Sequence, residues 1–401
     1  MRHLAYLMLT AVCFTACTSK PSIVNEYSVY NLGVERNSVA VQTTAIQSAI
    51  NKVNEKGGGT LLIPFGEIIS GTLELKPNVS IHINGNAVLK GSADLNDYRT
   101  LYKDKLTFIY GDQLNGISIT GQGTIDGQGH LFWDEDFKAL ERPTPWILLR
   151  DSKNINIKDI TLTNSPSHTF RLEESELISF ENIKIINPFE GPNTDGIDIV
   201  DSKNVFINNA FISTGDDAIC LKSQRDTVEN VVVTYSILES DDAAIKFGTG
   251  SRIATRYCKF DNIVIRNTRY GISLFMLDGG IFEHNTFRNI SIETNSRHKY
   301  EYPIFIDIDK RVPDRPYGKV NNNVFSDITI HSGGKVLVTG HPESSIKNLS
   351  FNNIQFYIDE KQDFSNAKKP RGNKKYPKLT TRIDLASRPE HFVIAKIEGL
   401  R

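Results

Sequence analysis

The chain has 401 residues, of which 39% are hydrophobic and 23% are charged, and its formal net charge is −1. This length allows one large domain or two ordinary ones, and the composition is typical of a soluble globular or repeat protein. The near-neutral charge excludes a global field that would attract nucleic acid or a membrane surface, so a polyanionic partner has to be held by local Lys or Arg side chains.

The first residues have the pattern of a targeting segment. Arg2 and His3 precede an apolar run over residues 4–14, which is too short to span a bilayer, and small residues then lead to Cys17. This pattern predicts a lipoprotein signal peptide over residues 1–16, lipidation of Cys17 and a polar tether over residues 17–28. The alternative is an ordinary secretory signal that is cut nearby. We therefore expect an exported protein with a lipid anchor in the outer membrane or at the cell surface.

Residues 41–53 have the periodicity of a short amphipathic helix. Apolar residues recur at i, i+1, i+4, i+5 and i+8, namely Ala45, Ile46, Ala49, Ile50 and Val53. The glycines at 57–59 are expected to end this helix, and residues 60–64 are expected to form the first strand.

A repeat extends through most of the remaining chain. Short runs that alternate Asn or Asp with Val or Ile recur roughly every 20–27 residues, a spacing that is typical of solenoids. The runs lie at 154–162, 178–185, 204–207, 230–233, 262–265, 287–292, 325–330 and 346–351. Each has the pattern of a strand, and only stacked coils can bury their apolar faces. We therefore predict an all-β fold, a right-handed parallel β-helix capped by the helix, as a single domain over residues 29–401.

Two acidic motifs lie about one coil apart. Asp195 belongs to the motif at 193–196, and Asp216 and Asp217 follow Gly215. On adjacent rungs their carboxyl groups can lie about 4 to 9 Å apart, a range that includes the spacing of about 6.5–9.5 Å typical of inverting glycosidases. Crowded carboxylates raise one pKa, which suits a general acid. Plain solenoid turns and a calcium site are the alternatives for the same residues.

Other parts of the chain suggest structural roles. Cys220 and Cys258 lie in apolar strand-like runs and are predicted to be small buried hydrophobic residues rather than a disulfide. Residues 361–382 are rich in Lys and Arg and are predicted to form a solvated loop, with contact to an acidic glycan as the alternative. Residues 391–397 are expected to form one last strand.

The ordered motifs together resemble glycoside hydrolase family 28, the polygalacturonase family. They are the strings at 193–198, 202–205, 214–219 and 221–223, with 121–127, 164–166 and the opening helix with its glycines. The resemblance implies a pectin-lyase-like β-helix, a polysaccharide substrate, single-displacement hydrolysis with inversion, and no metal or other cofactor. It also implies that Asp216 is the general acid and that Asp195 and Asp217 hold and deprotonate the attacking water.

The sequence departs from the family pattern where a His-Gly motif and an Arg-Ile-Lys motif are usual. Residues 241–250 contain no histidine, and residues 271–276 contain neither Arg nor Lys. Lys246 is the nearest cationic substitute and is expected to contact a substrate carboxylate or to steady an Asp, with a surface lysine as the alternative. Asp241 and Asp242 are interpreted as a repeat turn or a sugar hydroxyl subsite.

Four further residues complete the predicted substrate-binding set. Asn193 precedes the first acidic residue, Lys222 matches a lysine of the family, and His168 and Arg171 follow a motif that lines the cleft in relatives. The strings at 278–280 and 303–306 resemble bacterial branches outside the simple polygalacturonases, which favours a side-chain or mixed linkage such as that of rhamnogalacturonan.

The sequence thus predicts an inverting glycoside hydrolase that acts on a pectic or related acidic polysaccharide, with endo or exo action open. A β-helix polysaccharide lyase or epimerase is one alternative. A glycan-binding lipoprotein without catalytic activity is the other.

Overall fold

The computed structural model describes residues 25–295, 301–358, 392–395 and 397–398. The signal peptide, Cys17 and the basic stretch at 361–382 lie outside these residues. Among the described residues, no helix is both long enough and apolar enough to cross a membrane. The single α-helix of this part is α1 (Thr43–Glu55), and short 3-10 turns lie at Val29–Leu32, Leu95–Asp97 and Gly129–Phe132.

The rest of the described chain is built from short strands. The first are β1 (Glu26–Ser28), β2 (Gly59–Ile63), β3 (Gly66–Ser70), β4 (Leu73–Glu74), β5 (Val79–Ile83), β6 (Ala87–Gly91), β7 (Arg99–Tyr102), β8 (Lys105–Thr107), β9 (Ile109–Asp112), β10 (Ser118–Thr120) and β11 (Thr124–Asp126). Next come β12 (Ile147–Arg150), β13 (Lys153–Lys158), β14 (Thr161–Thr163), β15 (Phe170–Glu173), β16 (Glu176–Glu181), β17 (Lys184–Ile186), β18 (Ile197–Val200), β19 (Lys203–Asn208), β20 (Phe211–Thr214), β21 (Ile219–Lys222), β22 (Val228–Thr234) and β23 (Ile237–Phe247). The last are β24 (Ala254–Arg256), β25 (Lys259–Met276), β26 (Ile281–Glu283), β27 (Thr286–Thr294), β28 (Tyr302–Ile308), β29 (Lys319–Asn321), β30 (Val324–Ser332), β31 (Val336–Thr339), β32 (Ile346–Lys347), β33 (Ser350–Ile358), β34 (Phe392–Ala395) and β35 (Ile397–Glu398).

Apart from β7 and β8, these strands stack in parallel, each on the strand one coil later, which confirms the predicted parallel β-helix. One ladder, which we call the site ladder, contains β9, β12, β15, β18 and β21, then the ends of β23 and β25, and then β28, β31 and β34. In-register apolar residues face the interior at every rung, for example Phe170, Ile197 and Ile219. This burial of one face against the next coil is the main stabilising contribution that a solenoid can make.

The predicted helix is confirmed and lies at Thr43–Glu55, with Ile46, Ala49, Ile50 and Val53 buried. The strand predicted at residues 60–64 is confirmed as β2 (Gly59–Ile63), but it is not the first strand, because β1 precedes it and pairs with it, Tyr27 beside Leu61. β1 has only 3 residues, which are too few to show an alternating pattern, so no sequence pattern indicates it. It also lies within the stretch that was expected to be a tether, so ordered structure begins before residue 29.

Asparagine forms many of the corners, as the sequence indicates. Asn204 and Asn230 both adopt left-handed backbone, with φ of 55° and 56°, and the Nδ2 of Asn230 donates to the Oδ1 of Asn204 at 2.7 Å. A similar bond of 2.8 Å joins Asn209 to Asn182. Because Asn tolerates this backbone region and its amide pairs with the next coil, these corners also hold successive rungs together.

Cys220 and Cys258 are buried free thiols, as predicted. The strand expected at 391–397 corresponds to two strands, β34 and β35, which pair with β31 and β32.

Two segments outside the coils were not predicted. One is the antiparallel hairpin of β7 and β8, and the other is the loop at 133–145 between β11 and β12. They touch each other, since the Thr144 amide donates to the Leu106 carbonyl at 2.8 Å.

Candidate active site

The acidic motifs lie where successive strands of the site ladder begin. Asp195 and Asp217 each stand two residues before the first inward residue of β18 and β21, and these inward residues are in register. Gly215 is required here, because a Cβ at this position would lie 2.3 Å from the Gly191 carbonyl oxygen. Its close approach to the preceding turn brings the following Asp pair beside Asp195.

The three carboxylates therefore meet, as predicted. One oxygen each of Asp195, Asp216 and Asp217 lies within 4.8 Å of the others. Asp195 and Asp217 are only 4% and 3% exposed, whereas Asp216 is half-buried. The distance between closest oxygens is shorter than the spacing of about 6.5–9.5 Å between the carboxyl groups of typical inverting glycosidases. The two distances are different quantities, because 4.8 Å joins one oxygen of each residue, whereas the typical spacing is measured between whole carboxyl groups.

Asp216 has the environment of a proton donor. Burial and the nearby Asp195 and Asp242 carboxylates raise its pKa to about 7, and Lys246 only partly opposes this. The Nδ2 of Asn193 donates to the Asp216 Oδ2 at 3.2 Å. A carboxylic acid with a pKa near neutrality is still protonated at mildly acidic pH and can protonate a leaving oxygen.

Asp217 is paired with a cation instead. Burial raises the pKa of Asp217 well above its usual value, and the Lys246 ammonium, which lies 2.8 Å from its Oδ2, opposes this shift by favouring the carboxylate. Although burial favours the neutral amine, Asp217 and Asp242 raise the pKa of Lys246 well above its usual value, so we place the proton of this pair on the lysine. Asp242 completes the arrangement at 3.3 Å from the Lys246 Nζ.

Asp195 retains an unused acceptor. Its Oδ1 is buried and receives no hydrogen bond from the described residues. Such an orphaned buried acceptor is costly unless a ligand or water satisfies it, so it marks a place where a polar group can bind. His168 Nε2 and Lys222 Nζ lie 3.8 and 3.7 Å from its two oxygens.

Three of the predicted substrate-binding residues converge on Asp198, a residue to which the sequence reasoning gave no role. The fully buried Asp198 carboxylate accepts from His168 Nδ1 at 2.8 Å, from Arg171 Nη1 at 3.0 Å and from Lys222 Nζ at 2.7 Å. Although burial opposes ionisation, these cations hold the pKa of Asp198 well below its usual range. The outward position of Asp198 in an otherwise apolar strand is the signal that could have identified it.

The same cluster favours the charged form of the histidine. Burial opposes protonation of His168, but Asp195 and Asp198 raise its pKa above the usual value. His168, Arg171 and Lys222 therefore form a set of cations beside Asp195 that is held in place by one buried anion, Asp198.

Arg142 is a second residue that the sequence reasoning missed. It lies in the loop at 133–145, and its Nη1 and Nη2 donate to the Pro192 carbonyl at 2.7 Å and to the Asn193 Oδ1 at 3.1 Å. No motif surrounds it, and only the folded loop brings it to the site.

On the C-terminal side of the carboxylates, the same face of the ladder carries an apolar cluster. Tyr270, Phe275, Tyr302 and Phe305 pack together in a buried cluster with Ala243, Leu277 and Leu337. Tyr270 and Tyr302 stack at a centroid distance of 5.2 Å, and Phe275 and Phe305 lie 4.7 Å apart. Tyr270 and Phe275 lie beside and within residues 271–276, the segment in which the resemblance implied an Arg-Ile-Lys motif and the sequence has neither Arg nor Lys.

Comparisons with known proteins relate the chain to one family of enzymes. Residues 55–355 match the model of glycosyl hydrolases family 28. A probable polygalacturonase of Vitis vinifera is 28% identical over 275 residues, which cover 62% of this chain and 56% of that protein. An endo-polygalacturonase of Pectobacterium carotovorum subsp. carotovorum is 25% identical over 365 residues, or 81% of this chain and 86% of that protein. The chain spans about half the length of the plant polygalacturonases that it matches.

A solved structure supports the fold. The polygalacturonase of Erwinia carotovora ssp. carotovora superposes with a TM-score of 0.69 at 21% identity, over 88% of this chain and 100% of that one.

Proposed function

Because this chain belongs to glycosyl hydrolases family 28, we propose that it hydrolyses glycosidic bonds in a pectic or related acidic polysaccharide of the galacturonan or rhamnogalacturonan type. The observation that carries this proposal is the meeting of three carboxylates within 4.8 Å, of which one has a pKa of about 7 and another is paired with a lysine. The acid role requires a carboxyl group that keeps its proton near neutrality, as Asp216 does, and the base role requires one whose carboxylate form is favoured by a nearby cation, as Lys246 favours that of Asp217.

The proposed reaction is a single displacement. Asp216 gives its proton to the glycosidic oxygen as the bond from that oxygen to the anomeric carbon breaks. Asp195 and Asp217 hold a water molecule, which attacks the anomeric carbon from the opposite face and loses its proton to one of these carboxylates. The orphaned Oδ1 of Asp195 is a suitable acceptor for that water.

The substrate and stereochemistry can be tested together. Homogalacturonan, rhamnogalacturonan and their oligosaccharides are incubated with the protein, and new reducing ends are measured. Nuclear magnetic resonance of the first product should show the anomeric configuration opposite to that of the cleaved bond. Retained configuration would overturn the single displacement, and no release from any of these glycans would overturn the proposed activity.

A lyase or epimerase gives a different result in the same assay. A lyase would release an ultraviolet-absorbing unsaturated product, and a calcium-dependent enzyme would lose activity with a chelator. The hydrolase proposed here gives no such product and is insensitive to the chelator.

Export with a lipid anchor at Cys17 is also part of the proposal. It is supported by the apolar run and the cysteine that follows it. Metabolic labelling with palmitate should mark the wild-type chain but not Cys17→Ser, and the variant should partition out of the detergent phase. Labelling of both chains would overturn the anchor.

A further inference from the structure

An acidic substrate faces an electrostatic problem at this site. Asp195, Asp217 and Asp242 lie close to the proposed general acid Asp216, and a carboxylate on the substrate would be repelled by their negative charges. In the described part of the chain, most cations around them are already paired. Lys246 contacts Asp217 and Asp242, Lys222 and Arg171 contact Asp198, and Arg269 contacts Asp242.

Arg142 differs from all of these cations. Its guanidinium donates only to uncharged oxygens, the Pro192 carbonyl and the Asn193 Oδ1. No carboxylate of the described residues forms an ion pair with it, and its other N–H donors have no protein acceptor there. Burial lowers the pKa of Arg142, and the nearby Asp195 and Asp216 carboxylates oppose that shift. The guanidinium of an arginine remains charged in either case.

Its position is beside the reacting groups. Asn193 receives the bond from Arg142 and donates at 3.2 Å to Asp216, so one side chain separates the guanidinium from the proposed general acid. Lys105 is another cation without an ion pair to a described residue. It is exposed on β8, however, and its charged neighbours are Arg171, Glu173 and Asp198 rather than the three catalytic candidates.

Resting on the function proposed above, we propose that Arg142 binds the carboxylate of the uronic-acid residue next to the cleaved bond. A planar guanidinium with unused N–H donors can form two parallel hydrogen bonds to the two oxygens of a carboxylate. It would also neutralise the charge that the acidic cluster would otherwise repel. The loop at 133–145 thereby supplies the cation that residues 271–276 lack.

The test compares an acidic substrate with its neutral counterpart. Galacturonan and rhamnogalacturonan oligosaccharides are used with free carboxylates and after reduction of those carboxylates to alcohols. We expect Arg142→Met to lower kcat/KM about 10- to 100-fold on the acidic form, as for loss of a charged hydrogen-bonded pair, and to change the neutral form little. Arg142→Lys should lose less than Arg142→Met.

Lys138→Met is the matched control. Lys138 lies in the same loop but is 70% exposed and paired with Asp136, so its loss should leave both substrates unaffected. If Arg142 only supported the Asn193 segment, Arg142→Met would lower activity equally on both forms, and that result would overturn the proposal.

A binding measurement separates this inference from the proposed activity. Asp216→Asn and the double variant Asp216→Asn with Arg142→Met are titrated calorimetrically with the same oligosaccharides. Weaker binding of only the acidic form by the double variant supports the role of Arg142, even if the wild-type protein hydrolyses none of the oligosaccharides. Equal binding by both variants contradicts it, even if hydrolysis is found.

Discussion

Two halves of the site ladder have the same backbone and opposite chemistry. His168, Asp195 and Asp217 occupy the position two residues before the first inward residue on three successive rungs. Ala243, Tyr270 and Tyr302 occupy this position on the next three. Asp195 at 4% exposed and Tyr302 at 5% are buried alike. The backbone of each rung therefore determines where the side chain at this position lies. The residue type determines whether the position belongs to the acidic site or to the buried aromatic cluster.

The two halves also differ in what they do for the fold. The stacked rings bury apolar area and make favourable edge and stacking contacts, so they stabilise the chain. Crowded carboxylates repel one another and lose hydration, so they oppose folding unless cations compensate them. Substitutions should accordingly separate activity from stability along one ladder.

The largest expected effect is on activity in the polar half. Asp216→Asn removes the proposed proton donor without changing the shape of the side chain, so kcat should fall by about 10²- to 10⁴-fold. Asp261→Asn is the control, since Asp261 pairs with Arg288 outside the site ladder and should leave kcat unchanged. Hydrolysis at the wild-type rate by Asp216→Asn would show that another group is the acid.

Asp198→Asn should be the most destabilising change in the polar half. It leaves the charges of His168, Arg171 and Lys222 without their buried counterion, which typically costs about 3–5 kcal/mol of unfolding free energy. The pKa of Asp198 is lower in the folded state than in the unfolded state. The ionised Asp198 therefore contributes to the free energy of unfolding above about pH 4, and this contribution is lost as pH falls through the pKa of the folded state. Denaturant unfolding of the wild type and Asp198→Asn at several pH values checks this. A difference in unfolding free energy that grows toward acidic pH would contradict it.

In the aromatic half, a substitution should lower stability and leave activity nearly unchanged. Phe305→Ala removes a ring that is 2% exposed and contacts Tyr270, Phe275 and Tyr302, so unfolding free energy should fall by about 3 kcal/mol or more. At a temperature where the variant is fully folded, kcat should stay within a few fold of wild type. Phe305→Leu is the control and should lose less stability. A large loss of kcat with unchanged stability would mean that the aromatic half takes part in the reaction.

The smallest expected effect is a shift of the pH profile. Wild-type activity should fall as pH rises through about 7, where Asp216 loses its proton. Lys246→Met removes the charge that favours ionised Asp217 and Asp216, so both limbs of the profile should move to higher pH, by about one unit. Lys158→Met is the control, because Lys158 pairs with Glu181 on another ladder. An unmoved profile would show that Lys246 does not set these proton affinities.

The fold and the centre of the site could be predicted because both are written in local patterns. Alternation of Asn with Ile or Val identifies the coils. The number of residues between Asp195 and Asp216 in the sequence is close to the length of one coil, so the two lie on adjacent rungs and close together in space. The prediction for Lys246 left substrate contact and support of an Asp open, and its 2.8 Å contact with Asp217 favours support.

What could not be predicted depends on contacts between distant or irregular segments. Arg142 lies on a loop without periodicity, and nothing in the sequence says over which rung that loop folds. The role of Asp198 required knowing that three cations point at one carboxylate. The aromatic half appeared in the sequence only as a missing motif, because periodicity does not show what covers an outward-facing ring.

The asparagine corners and the parallel ladders connect each rung only to its immediate neighbours. In such a stack, opening starts at the terminal rungs and moves inward one coil at a time. The acidic cluster lies several rungs from either end, so it should be among the last regions to exchange its amide hydrogens. The reactive groups would then keep their geometry while the ends of the molecule fray.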